Sequence, residues 1–206
     1  MTRLRSLTAT VLALLSTISC STPIATGYLE HQGQLEAGQY LDGLWCSDLL
    51  ASRSYSEVKI TSIEARGIED NRGVSAAEAV SWLRAHLLAA PEESTGGDVL
   101  LSFPGSGPSA NLELAITEMT PGSVAARIWA GEFGAGHAYV QVEGRLTDAA
   151  DGGVLCEFAQ RTRASGAVGF RDLGGDSGPA MVKQMLAMVA RALRSELIAK
   201  LGRPAA

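Results

Sequence analysis

Between Ala138 and Phe158 the side chains alternate with a period of two, and nothing else in the sequence restricts the fold as tightly. Ala138, Val140, Val142 and Leu146 point one way, and Tyr139, Gln141, Glu143 and Arg145 the other. Asp148 to Gly153 supplies turn residues, after which Val154, Cys156 and Phe158 resume the inward positions. Such spacing cannot form one face of a helix, whose period is 3.6. It specifies a β-hairpin with one face in a core and one polar face, which the pattern leaves in water.

The neighbouring segments supply the rest of a two-layer fold. Tyr55 to Ala65, Asp98 to Phe103 and Asn111 to Met119 read as strands; in the last, Leu112, Leu114 and Ile116 alternate with Glu113 and Thr117. Ser75 with Glu78 three residues later is a capping box, and the helix it opens carries Ala76, Val80, Leu83 and Leu87 on one side until Pro91 stops it. A second helix runs from about Pro179 to Leu201 with Val182, Leu186, Val189, Leu193 and Leu197 as its stripe. Consecutive strands favour antiparallel neighbours. The expected fold is therefore α+β: a two-layer sandwich with a mainly antiparallel sheet of four to five strands and two helices on one face.

The first nineteen residues read as an address. Arg3 and Arg5 precede an uncharged run from Leu7 to Ile18, too short to span a bilayer, and Ser19-Cys20 follows. Thr17-Ile18-Ser19-Cys20 resembles the bacterial lipobox, with Thr17 where Leu is usual. The resemblance implies cleavage before Cys20 and two or three acyl chains on it, enough for stable anchoring. Ser21 as the second residue implies outer-membrane sorting, with the domain facing the periplasm. The division expected is a signal peptide over 1–19, a lipid-anchored tether and clasp over 20–50, and the α+β domain over 51–206.

Without its first nineteen residues the chain holds 15 basic and 22 acidic side chains, a net charge of −7. That balance, with no basic stripe, excludes nucleic acid as a partner. No metal or cofactor is expected: His31, His86 and His137 are scattered over a tether, a helix and a strand start, without ligand spacing. Gly175-Asp176-Ser177-Gly178-Pro179 looks like the nucleophile loop of trypsin-like proteases, but it lacks one glycine and opens a helix, where Asp176 or Ser177 is expected to cap and Pro179 to occupy the first turn. The glycine-rich Gly131 to His137 leads into a strand and offers phosphate no helix N-terminus. Glu92 and Glu93 follow a helix end as a solvated pair. Cys46 and Cys156 either pair in an oxidising compartment or leave Cys156 as a small core residue between Val154 and Phe158.

Thr26-Gly27-Tyr28-Leu29, Gln34-Leu35, Val58-Lys59-Ile60, Ile116 to Gly122, Val140 to Glu143 and Asp148 to Leu155 together resemble a family of small bacterial lipoproteins defined only as a domain of unknown function, of the 3313 type. The resemblance implies a lipoprotein and an α+β sandwich, and supplies no catalytic residue. The expected function is that of a non-catalytic accessory or interaction lipoprotein of the cell envelope. Its partners would be the membrane, through Cys20, and an envelope protein or a second copy meeting Tyr139, Gln141, Glu143 and Arg145. The alternative is an envelope hydrolase acting on cell wall or glycan through carboxylates such as Glu113 and Glu143, which requires two of them about 5–10 Å apart in a cleft.

Overall fold

The computed structural model describes residues 22–68, 73–89, 98–121, 138–163 and 177–202. Six strands form one open sheet: β1 (Gly43–Cys46), β2 (Glu57–Ala65), β3 (Val99–Ser102), β4 (Ser109–Thr120), β5 (Tyr139–Asp148) and β6 (Val154–Arg163). Their order is β1-β6-β5-β4-β2-β3. Among the described residues three α-helices accompany them: α1 (Asp48–Ser52), α2 (Ala76–Leu88) and α3 (Ser177–Leu201). The α+β class expected from the sequence is right. The count is not, because the segment expected to be a clasp contributes β1 and α1. The sheet is mixed: β2 and β4 run parallel, and the other pairs antiparallel.

The parallel pair follows from the path of the chain. After α2 the chain returns as β3 along the outer edge of β2, then crosses the start of β2 and enters the sheet on the far side as β4. The crossing is close. Phe103 N–H donates to the Ser56 carbonyl at 2.7 Å, and the Ser56 hydroxyl donates to the Gly107 carbonyl at 2.6 Å. A Cβ on Gly107 would lie 2.1 Å from the Ser54 carbonyl oxygen, so only glycine permits this approach.

Local signals that need no distant partner are realised as read. The Ser75–Glu78 capping box forms, with both reciprocal hydrogen bonds. Asp148 and Gly153 close the β5–β6 turn, Gly152 taking a φ of 75°. The α3 stripe of Val182, Leu186, Val189, Leu193 and Leu197 is buried throughout. It packs with Leu83 and Leu87 of α2 onto Val58, Ile60, Leu112, Leu114, Ile116, Val140, Val142 and Phe158 of the sheet. Ala79, not Ala76, completes the buried face of α2. A bulge in β4 between Ile116 and Glu118 shifts the alternation, so Ile116 and Met119 both face the core while Glu118 lies opposite Gln141.

Gly144 has a packing role that alternation cannot reveal. It pairs with Phe158 across β5–β6, and a Cβ there would fall 2.1 Å from the Phe158 ring and 2.7 Å from Leu114. Gly144→Ala should therefore displace a fully buried ring and lower the unfolding free energy by about 1–3 kcal/mol, as overpacking does. Urea denaturation of the purified variant measures it; a midpoint equal to the wild type would mean that the ring has room to move.

Candidate functional site

The polar face of the hairpin is not open to water. Gln141 and Glu143 of β5 and Glu157 of β6 each have 0% relative exposure. Of the expected contact surface at Tyr139, Gln141, Glu143 and Arg145, Gln141 and Glu143 are thus not left in water, whereas Tyr139 and Arg145 keep partial exposure. The cover is residues 22–36, expected to be a tether, which lie over the outer face of the sheet as a strap.

The sheet makes a trough for the strap. Glu143 stands between Ala115 on β4 and Ala159 on β6, its two cross-strand partners, both fully buried. Small residues on either side leave room for a main chain to lie above the sheet, and a main chain laid there needs hydrogen-bonding partners. The side chains of the trough supply them. The Gln141 amide takes both backbone groups of Ile24: Ile24 N–H donates to Oε1 and Gln141 Nε2 donates to the Ile24 carbonyl, each at 2.8 Å. Glu143 accepts from the Thr26 hydroxyl, and from Gln32 Nε2 at 3.2 Å. Gln32 also donates to the Ile24 carbonyl at 3.0 Å, which closes the first half of the strap on itself.

Glu157 holds the second half. It accepts the backbone N–H of Glu30 at 3.2 Å and of His31 at 2.7 Å, and the His31 ring Nδ1 lies 3.1 Å from it. Arg145, directly opposite on β5, donates to Glu157 through Nε at 3.0 Å and pairs with Glu30 at 3.2 Å. Burial alone would push the Glu157 carboxyl up. The N–H groups of His31 and Glu30, with Arg145 and the His31 ring, outweigh it and hold the carboxyl below its ordinary range. The His31 ring stacks on Trp45 of β1 with centroids 3.6 Å apart and planes 5° apart. Tyr28 sits over the neighbouring strands, and its hydroxyl is pushed up first by burial and then by Glu113 and Glu64.

Beyond the strap the chain turns around the β6 edge and is fixed there as well. Asp42 N–H donates to Gln160, the Gln160 amide donates back to the Asp42 carboxylate, and Arg161 N–H donates to the same carboxylate at 3.0 Å. Tyr40 N–H donates to the buried Glu196 of α3 at 2.6 Å. Cys46 then faces Cys156 in the β1–β6 register, and the two are joined as a disulfide.

These contacts decide what the named residues can do. Tyr139 is half-buried at the start of β5 under the guanidinium groups of Arg161 and Arg163, 4.7 and 5.8 Å from its ring centroid. Arg145 is held between Glu30 and Glu157. Of the hydrolase pair, Glu113 is half-buried near Tyr28, while Glu143 has both oxygens engaged by Thr26 and Gln32. His86 lies on α2, apart from His31. Among the described residues no group of three or more His, Cys, Asp or Glu is placed to hold a metal ion. Ser177 opens α3, with Pro179 in its first turn. Cys20, Glu92, Glu93, the Gly131 to His137 loop and Asp176 lie outside the described residues. Glu157, Ala115, Ala159 and the strap residues Ile24, Thr26, Gln32 and His31 were not singled out as a site by the sequence. The one available signal was the row of Ala, Glu and Ala across three strands, visible only once the register is known.

No helix among the described residues is long and apolar enough to cross a membrane. No curated protein matches the chain. Among solved structures, the chain is similar to a "putative lipoprotein" from Caulobacter crescentus CB15, at 17% identity, with 69% of this chain and 92% of that one covered and a TM-score of 0.38. It is similar to the PelC dodecamer from Paraburkholderia phytofirmans at 14% identity, with 68% and 88% covered and a TM-score of 0.38. It is also similar to the hypothetical protein CT253 from Chlamydia trachomatis at 13% identity, with 71% and 99% covered and a TM-score of 0.42. Residues 104–169, the span that contains β4, β5 and β6, match the family model of a domain of unknown function, DUF4410.

Proposed function

We propose that the chain is a lipid-anchored accessory protein of the bacterial cell envelope, non-catalytic, and held to its membrane through acyl chains on Cys20. The observation that carries this reading is the order of features at the N-terminus. A positive n-region, an apolar run and Ser19-Cys20 come first, and Ile24, only four residues later, is docked on the folded domain. A cysteine at that junction serves cleavage and acylation; the remaining two cysteines are used in the disulfide. Outer-membrane sorting, from Ser21, and kinship with lipoproteins of the 3313 type belong to the same reading.

The outer sheet face is engaged by the chain's own strap, so an envelope partner or second copy would meet Tyr139 and Arg145 only at their exposed rims, with Gln141 and Glu143 beneath the strap. The hydrolase alternative loses support for the same reason: Glu143 would have to release Thr26 and Gln32 before it could activate water. Mass spectrometry of the membrane-extracted protein should find a mature chain that begins at an acylated Cys20, and Cys20→Ala should release the protein from the membrane fraction. An unmodified mature N-terminus elsewhere, or full membrane retention of the variant, would overturn the reading.

A further inference from the structure

The strap and the segment that follows it are fastened by different physics. Among residues 22–36 only Leu29 is buried, and Ile24 and Thr26 stay exposed although their backbone or hydroxyl groups are bound. What holds the strap is polar on both sides. The Gln141 amide takes Ile24, Glu143 takes Thr26 and Gln32, and Glu157 takes the N–H groups of Glu30 and His31. Lifting the strap uncovers an amide, two carboxylates and Arg145, all groups that water satisfies, while the apolar core on the other side of the sheet stays closed.

The chain from Glu36 to Cys46 is built otherwise. Glu36 and Leu44 exchange two backbone hydrogen bonds, at 3.0 and 2.7 Å, that close the turn between them. Leu41 is buried in the core, Leu44 packs against it, and Cys46 is bonded to Cys156. Opening this part exposes apolar surface and takes from the buried Glu196 the N–H of Tyr40. An element with few apolar contacts opens at lower cost than one tied into the core. The boundary between the two falls at Glu36.

Cys20 lies four residues before Ile24 and sixteen before Glu36. At ~3.6 Å per residue, four residues span at most about 14 Å and sixteen about 58 Å. As a flexible coil, sixteen residues have an end-to-end distance of about 22 Å.

We propose that residues 22–35 form a releasable strap, which lifts from the sheet as a unit about a hinge at Glu36 and lengthens the leash between Cys20 and the domain from four residues to sixteen. The release stands on the strap geometry alone; the leash rests also on the lipid-anchor reading. The domain then has two reaches from one anchor. It sits close to the bilayer with its outer face covered, or further out with Gln141, Glu143 and Glu157 open to water.

Amide exchange of the full acylated chain tests the release. In wild type the amides of Ile24, Glu30 and His31 should share one level of protection, at least about tenfold below that of Glu36 and Leu44. Thr26→Val with Gln32→Ala removes the partners of Glu143 and alters no residue of the sheet. It should lower strap protection by a further factor of about ten and leave Glu36 and Leu44 unchanged. Strap amides as protected as Glu36 and Leu44 in wild type, a variant with unaltered strap protection, or one that also loses protection at Glu36 and Leu44 would overturn the release. Neutron reflectometry on a supported bilayer of phosphatidylethanolamine and phosphatidylglycerol tests the leash. The variant's domain should stand further from the bilayer than the wild type's by at least about 8 Å. An unchanged gap in a variant whose strap exchanges freely would overturn the leash and leave the release standing. Failure of the acylated chain to bind the bilayer would overturn the anchor, and the leash with it.

Discussion

Breaking the Cys46–Cys156 disulfide, by reductant or by Cys46→Ser with Cys156→Ser, is expected to lower stability by about 3–4 kcal/mol. The bond closes a loop with a sequence separation of 110 residues, long enough for the lost freedom of the unfolded chain to be large. For a domain of this size each kcal/mol moves the melting temperature by about 2–4 °C, so a fall of roughly 6–16 °C should appear in a thermal scan with and without reductant. The native state loses something too. β1 has only four residues, and Trp45, one residue before Cys46, carries the His31 ring. Loosening β1 therefore loosens the strap. A melting temperature that shifts by less than about 2 °C would show that β1 stays paired with β6 without the bond.

The second large effect is expected at Glu157. Glu157→Ala removes the acceptor for two strap N–H groups and strands Arg145 with Glu30 alone. Breaking a fully buried pair costs about 3–5 kcal/mol; Arg145 keeps some solvent access, so about 2–3 kcal/mol is expected here. Glu157→Gln retains an acceptor and should cost less. The carboxyl is held below its ordinary value of 4.5 in the fold. Its contribution is complete above that value, where the carboxylate is charged in both states, and is lost as the pH falls through the lower folded value. Acid should thus release the strap in wild type below about pH 4.5 and change strap release little in Glu157→Ala. Limited proteolysis between Thr22 and Glu36 along a pH series measures both. A wild type and variant cut at equal rates at neutral pH would remove Glu157 from the account.

The sequence disclosed those parts of the fold that depend on near neighbours. The Ser75–Glu78 box spans four residues, the Asp148–Gly153 turn six, and the α3 stripe is a repeat along one helix, so each can be read without knowing what packs against it. The parallel pairing of β2 with β4 could not, since nothing local shows that β4 pairs with β2 and not with β3, and the crossing at Gly107 shows only in three dimensions. The outer face was legible as polar and misread as wet. Alternation marks Gln141 and Glu143 as turned from the core, but a polar strap satisfies such side chains as well as water does. Their partners Ile24 and Thr26 each lie 117 residues away in the chain, beyond any local pattern. Segment 20–50 was read as a tether and clasp; in the structure the hydroxyl and amide groups at Thr26 and Gln32 fasten its first part down. The family model matched over 104–169 is that of a domain of unknown function, so the resemblance to an uncharacterised family holds at that level.

Hydrogen exchange of the strap amides tests most directly whether residues 22–36 are part of the fold. The amides of Ile24, Glu30 and His31 donate to Gln141 and Glu157, side chains with no exposure to solvent. They are expected to exchange far more slowly than free peptide at neutral pH, and to lose that protection in Glu157→Ala while the β4 and β5 amides keep theirs. Exchange at free-peptide rates in wild type, with β4 and β5 still protected, would mean that the segment is a loose tether and that the outer face is open.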